Sequence, residues 1–285
     1  MSIDRIGVVG GGIMGCGIAE ICARAGLSVI VCEQNERHAD TARQRIRSSL
    51  DRAVQREKIT KSTGARALSN IRVESDLGCL ADRHLVVEAI TEDLQEKRAV
   101  FAELDKVVSS GAILATNTSS IPIADIAVAC SHPERVLGTH FFNPVPVMQL
   151  VEVIPTLLTD KDVTSSVEAL VGEMLGKRVV RVLDRAGFLV NSLLVPMLLN
   201  AVRMLESGVA SASAIDEALV LTFDHPMGPL HLCDLIGVDT VVAMAESLYA
   251  EFGEPAYCPP PMLRRMQQAG FLGRKTGVGF FDYGS

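Results

Sequence analysis

Gly10-Gly11-Gly12-Ile13-Met14-Gly15 constrains this chain more than any other stretch. An apolar run, Ile6-Gly7-Val8-Val9, precedes it and reads as a buried strand. A helical run from Gly17 to Ala25 follows and is stopped by Gly26. The glycines at 10, 12 and 15 fit G-x-G-x-x-G. The first permits a tight turn, the second lets a pyrophosphate reach the backbone, and the third lets strand and helix pack closely. The helix N-terminus offers N–H groups and partial positive charge to the phosphates, which puts Ile13 and Met14 among the expected cofactor contacts. Alone the motif is weak, but between a strand and a helix it reads as a dinucleotide-binding turn. A second strand, Ser28–Cys32, ends at Glu33, about 20 residues past the last glycine. An acid there accepts hydrogen bonds from the ribose hydroxyls and repels a 2′-phosphate. The expected cofactor is therefore NAD rather than NADP, a preference that Arg37 close by tempers.

Further buried-strand runs follow at Ile71–Val73, Leu85–Ala89, Ala112–Thr116, Arg135–Thr139, Leu150–Ile154 and Arg178–Val182, with helical patterns between most of them. This alternation predicts an α/β domain built on a mostly parallel, Rossmann-type sheet. From Arg37 to about Glu57 the pattern is a long helix that looks polar on every side. Its run of Arg43, Arg45, Arg47, Arg52, Arg56 and Lys58 is either a solvated face or an anion-binding one. Alternation stops near Asp184, and beyond Gly187 only helical patterns remain: Phe188–Ser207, Ala212–Leu221, Leu230–Phe252 and Pro261–Ala269. The expected division is a dinucleotide-binding domain over residues 1–184 and an all-α C-terminal domain over 185–285. The second is apolar around most of its helices, which predicts burial between subunits and a homodimer.

A formal charge of −7 over 285 residues leaves no basic surface for nucleic acid. No stretch reaches the roughly 18 uncharged apolar residues of a membrane span. Phe188–Val202 comes nearest and is interrupted by Asn191, Pro196 and Asn200. The glycine-rich run from Ile6 to Ile21 lacks the basic flank of a secretory signal. Seven scattered cysteines, never in a CxxC pair, point to a reducing compartment, so a cytoplasmic protein is expected. The six histidines form no HExxH, and His225, His231 and Asp234 match no common ligand spacing, so no metal is expected.

Chemistry points instead to Gly138-Thr139-His140-Phe141-Phe142-Asn143-Pro144 and, shortly after, Val151-Glu152-Val153. Histidine gains and loses its proton near neutral pH, and a glutamate against its far ring nitrogen would fix the tautomer and stabilise the cation. Spacing alone fits many geometries, including a strand-end histidine satisfied by backbone. Asn117-Thr118-Ser119-Ser120, at the carboxyl end of another strand, lies where doubly wound sheets bind ligands.

With these pieces in order, the whole chain resembles the 3-hydroxyacyl-CoA dehydrogenase family, in particular its short bacterial 3-hydroxybutyryl-CoA type. The anchors are the glycine turn, Val87-Glu88-Ala89, Asn117–Ser120, His140–Pro146, Gly187–Asn191, Pro226–Pro229 and Gly273–Phe280. The resemblance implies reversible NAD-dependent oxidation of a short-chain 3-hydroxyacyl-CoA to the 3-oxoacyl-CoA. It implies His140 as the catalytic acid/base and Glu152 as the carboxylate that orients it. Ser119 resembles the serine that touches both substrate oxygen and cofactor, and Asn191 the asparagine that completes the substrate site. Glu92, Lys97, Asn143 and Lys275 match cofactor contacts, and Ser49 and Arg56 match positions that grip coenzyme A.

Two departures bear on the acyl group. Gln149 stands where many relatives carry lysine, and Leu221-Thr222-Phe223-Asp224-His225 replaces a small, glycine-containing segment. They keep open the same chemistry on an acyl-carrier-protein thioester, which would make a carrier protein the partner, or on a free 3-hydroxy acid. A structural role, as in lens relatives of the fold, would leave His140 and Glu152 without purpose.

Overall fold

The computed structural model describes residues 3 to 284, which fall into two compact units, one up to Arg185 and one from Ala186 onward. In the first unit the described residues form eight strands: β1 (Arg5–Val9), β2 (Ser28–Cys32), β3 (Ile71–Glu74), β4 (Leu85–Glu88), β5 (Ile113–Thr116), β6 (Val136–Phe141), β7 (Leu150–Pro155) and β8 (Arg178–Arg181). They make one sheet in the order β3-β2-β1-β4-β5-β6-β7-β8. Strands β1 to β6 pair in parallel, β7 runs antiparallel to β6, and β8 runs parallel to β7. A parallel return needs a crossover of a dozen or more residues. The short 142–149 connection falls below that length, so the direction must reverse there.

Helices α1 (Ile13–Arg24), α2 (Glu36–Gln55), α3 (Lys61–Ser69), α4 (Leu94–Val107), α5 (Ile123–Ala127) and α6 (Lys161–Ala169) cover the sheet. β4, β5 and β6 are buried along their whole length. That is why they read as continuous apolar runs rather than as alternating ones. The polar-all-round reading of the second helix is corrected: α2 buries Ala39, Ala42, Ile46 and Leu50 in one stripe. Two alanines and two large aliphatics are a faint signal among so many arginines. Arg43 donates to Glu36, Asp40 and the Val73 carbonyl, and Arg45 donates to Gly11 O at 2.5 Å, so both serve the fold itself. Helix α3 has no counterpart in the sequence reading. It carries Gly64 inside and few aliphatics, and it holds by the Thr60 side chain capping Thr63 N and by burying Gly64 and Ala67.

The second unit contains α7 (Val190–Glu206), α8 (Ala212–Phe223), α9 (Pro229–Ile236), α10 (Val238–Phe252) and α11 (Pro261–Gln268) around Val195, Leu198, Leu199, Val202, Leu230, Val241 and Leu248. The single helix expected over Leu230–Phe252 is two. Gly237, at φ +105°, takes a conformation that other residues avoid and ends α9 before α10 begins. Asp216 caps α9 by accepting from Leu230 N and His231 N, and Asp234 accepts from Phe280 N, Phe281 N and Tyr283 Oη, which ties down the tail. No helix among the described residues is long and apolar enough to cross a membrane.

The tightest constraint in the first unit is Gly15. A Cβ there would lie 1.9 Å from the carbonyl oxygen of Gly10, which is backbone and cannot swing away. Gly15→Ala should therefore destabilise the unit by about 3 kcal/mol, read as a lowered melting temperature. A variant that melts with the wild type would refute the close packing of turn and helix.

Candidate active site

The glycine turn joins β1 to α1. Gly10 sits at φ +98° and its N–H donates to Cys32 O at 2.9 Å, which ties the turn to the end of β2. Gly12, the residue before α1, has nothing within 4 Å of where a Cβ would stand. No side chain caps this helix, and Gly12 and Ile13 at its N-terminus are exposed. An open cradle beside an uncapped helix N-terminus fits a pyrophosphate. Glu33 reaches back to the turn, where Gly11 N donates to its Oε1 at 2.6 Å. The acid at the end of β2 thus stands beside the turn, where the ribose of a dinucleotide lies.

His140 and Glu152 face each other on neighbouring strands. The β6–β7 register makes them direct partners, and His140 Nδ1 lies 2.6 Å from Glu152 Oε2. A carboxylate can only accept, so Nδ1 carries the proton and donates it to Glu152. His140 is 6% exposed and Glu152 is fully buried. Such a pair holds its geometry because removing either member strands the other in a medium that solvates charge poorly. The Phe142 ring packs on the imidazole, 4.4 Å between centroids. From β5, Asn117 Oδ1 accepts from Phe141 N at 2.9 Å and fixes the strand next to the histidine.

Behind these groups lies a buried charge network. Lys97 on α4 is 1% exposed, and its Nζ donates to Glu88 Oε1 at 2.6 Å. The Glu88 carboxylate also accepts from Thr116 Oγ1 and Ile90 N, each at 2.7 Å. Lys97 Nζ lies 3.4 Å from Glu92, whose Oε1 accepts from Thr118 Oγ1 (2.6 Å), Ser119 N (2.9 Å), Ser120 N (3.0 Å) and Ser120 Oγ (2.9 Å). Glu92 therefore clamps the segment that carries Ser119, with Ser119 Oγ itself 3.3 Å away. Burial works to raise the Glu92 pKa, but the Lys97 charge and these hydrogen bonds outweigh it and hold the carboxyl below its ordinary value. Glu88 received no role from the sequence, and Asn117 none beyond its place in the Asn117–Ser120 segment. A glutamate inside the apolar run Leu85–Ala89 is the signal that marks the first, while nothing in the pattern marks the second as a strand tie.

Of the other expected residues, Asn143 is exposed in the loop between β6 and β7, Ser49 is half-buried on α2, and Arg56 is exposed at its C-terminal end. In the helical unit Asn191 lies in the first turn of α7, and Lys275 Nζ is 2.5 and 2.6 Å from the Asp239 carboxylate oxygens. No group of three or more metal-ligating side chains occurs among the described residues.

A family model described as "3-hydroxyacyl-CoA dehydrogenase, NAD binding domain" matches residues 5–185, and "3-hydroxyacyl-CoA dehydrogenase, C-terminal domain" matches residues 187–283. The chain is 52% identical over 283 residues to the 3-hydroxybutyryl-CoA dehydrogenase of Mycobacterium tuberculosis, covering 99% of both. It is 39% identical to the human mitochondrial hydroxyacyl-coenzyme A dehydrogenase, covering 99% of this chain and 91% of that one. Its fold is similar to the crystal structure of (S)-3-hydroxybutyryl-CoA dehydrogenase from Ralstonia eutropha, with a TM-score of 0.96, 42% identity and 100% of both chains covered.

Glu92 gives a pH prediction. A carboxyl held low in the folded state stabilises it above the ordinary glutamate value of 4.5, and that stabilisation is lost as pH falls through the lower folded value. Acid unfolding of the wild type should steepen below pH 4.5. Glu92→Gln should be less stable at pH 7 by about 1–2 kcal/mol, after allowance for solvent screening, and should fall less steeply in acid. Equal slopes for the two proteins would contradict the clamp.

Proposed function

The chain belongs to the 3-hydroxyacyl-CoA dehydrogenase family, and on that premise we propose that His140 is its general acid/base and Glu152 the carboxylate that orients it. The reaction is the reversible, NAD-dependent oxidation of a 3-hydroxyacyl-CoA to the 3-oxoacyl-CoA. The observation that carries the assignment is the buried contact of 2.6 Å between His140 Nδ1 and Glu152.

NAD bound at the glycine turn supplies the hydride acceptor. The protein handles the proton. With Nδ1 committed to Glu152, Nε2 of His140 takes the proton of the 3-hydroxyl as C3 is oxidised, and in reverse the imidazolium returns it to the oxygen of the 3-oxo group. Glu152 stabilises the imidazolium in both directions. Ser119, held by Glu92, contributes its hydroxyl to the reacting oxygen and to the cofactor. Lys97 is too deeply buried for direct contact, so its part in cofactor binding runs through Glu92.

The same reading assigns Gly10, Gly12, Ile13, Met14, Gly15, Glu33, Glu92, Asn143 and Lys275 to the cofactor, Asn191 to the substrate, and Ser49 and Arg56 to coenzyme A. The acyl chain is short, as in the 3-hydroxybutyryl-CoA dehydrogenases to which the chain is similar. A cytoplasmic setting fits the described cysteines, all of them free thiols. A homodimer formed through the helical unit is supported by Leu193, Leu221 and Phe223, which are 69%, 81% and 66% exposed.

NADH consumption is to be followed with acetoacetyl-CoA, with the same acyl group on an acyl carrier protein, and with free acetoacetate. Turnover of the first is expected. Turnover confined to the carrier-bound thioester would make a carrier protein the partner instead. In this assay His140→Gln should lower kcat by about 10²–10⁴ while NADH still binds. Retained turnover would overturn the assignment. Sedimentation equilibrium should give twice the mass of the chain, and a monomer would exclude the dimer.

A further inference from the structure

Lys177 has no place in the catalytic scheme, yet it is the one lysine besides Lys97 among the described buried residues. It follows Gly176, at φ +64°, and immediately precedes β8. Its ammonium donates to Val145 O at 2.9 Å and to Met148 O at 2.7 Å. Both acceptors lie in the loop between the strands of His140 and Glu152. Next to it, Arg178 N donates to Gln149 O at 2.7 Å. Two consecutive residues therefore hold three carbonyls of one short loop.

The loop is closed from inside as well, since Val147 N and Met148 N both donate to Pro144 O, at 2.9 and 3.0 Å. Its buried anchor is Val145, which is 2% exposed. Val145 packs on α1 at Gly17, where an added Cβ would stand 2.8 Å from the valine Cβ. Helix α1 starts at the dinucleotide turn. A single ammonium thus fixes the loop that bears Asn143 and, through Val145, its seat on the helix that bears the cofactor turn.

A lysine is costly to place here. Burial penalises the ammonium and pulls its pKa below the ordinary lysine value, and the positive charge of Arg24 pushes it the same way. A methionine would fill the same space without that penalty. What it would lack is the pair of donors that point both carbonyls inward.

We propose that Lys177 is a positioning residue of the reaction centre, holding the 142–149 loop at a set distance from the nucleotide turn. The inference rests on the reading of His140 and Glu152 as the reacting pair. Lys177 touches neither substrate nor cofactor in this account; it acts through Asn143 and Val145.

The test uses full-length Lys177→Met and Lys177→Arg with acetoacetyl-CoA and NADH or its 4-deuterated form. Lys177→Met is measured under conditions where its melting curve shows it fully folded. Its kcat/KM for NADH should fall about 10- to 100-fold, the effect of misplacement on the order of 1 Å. Its deuterium isotope effect on kcat should rise as hydride transfer becomes limiting, and Lys177→Arg, which keeps charge and donors, should recover most of the loss. Wild-type kcat/KM and isotope effect in folded Lys177→Met would overturn the proposal, as would a loss that follows only the amount of folded protein. Should Lys177→Met fail to fold, Lys177→Gln is read by the same criteria. If His140→Gln is inactive and Lys177→Met behaves as wild type, the Lys177 inference alone fails; an active His140→Gln removes the reading beneath it.

Discussion

The antiparallel step between β6 and β7 is the constraint on which the site depends. Six parallel strands carry the sheet to β6, and the short return loop then reverses the chain. Reversal sets His140 directly opposite Glu152, the closest relation that two side chains on neighbouring strands can have. Imidazole and carboxylate are both buried, so each pays the desolvation that the other offsets. A parallel strand in the place of β7 would have required a longer crossover and a different register. The pairing is thus a product of topology as much as of residue choice.

Around that pair the carboxyl ends of the strands are tied to one another by charge rather than by apolar packing. Glu88 joins β4 to β5 through Thr116 and to α4 through Lys97. Glu92 then joins the same lysine to the backbone of Ser119 and Ser120. Glu88, Lys97 and Thr116 are fully buried with their partners supplied, so the network orders the strand ends without leaving a stranded polar group. A loop segment such as Ser119–Ser120 needs support of this kind to hold its place, because the loop backbone has no ladder of its own.

Much of the architecture was legible in the residues. The strand, glycine turn and helix at the N-terminus follow the expected order, and buried strands announced themselves as apolar runs. Failures cluster where the signal was small or long-range. The buried stripe of α2 was hidden by alanine, and α3 has too few aliphatics to show a period. The break at Gly237 lay inside a run apolar enough to pass for one helix. The ties from Glu92 to Lys97 and to the Ser119–Ser120 backbone join separate elements and left no local pattern in the residues.

By itself the sequence determined the glycine turn with its acid at Glu33, the alternation that demands a parallel sheet, and the helical C-terminal part, because these rest on local periodicity and backbone freedom. Only the tertiary structure decided that His140 meets Glu152, that Lys97 is interior, and that Lys177 donates to loop carbonyls 32 and 29 residues before it. Such contacts depend on strand order and register, which join distant residues through space, and no spacing along the chain encodes that distance.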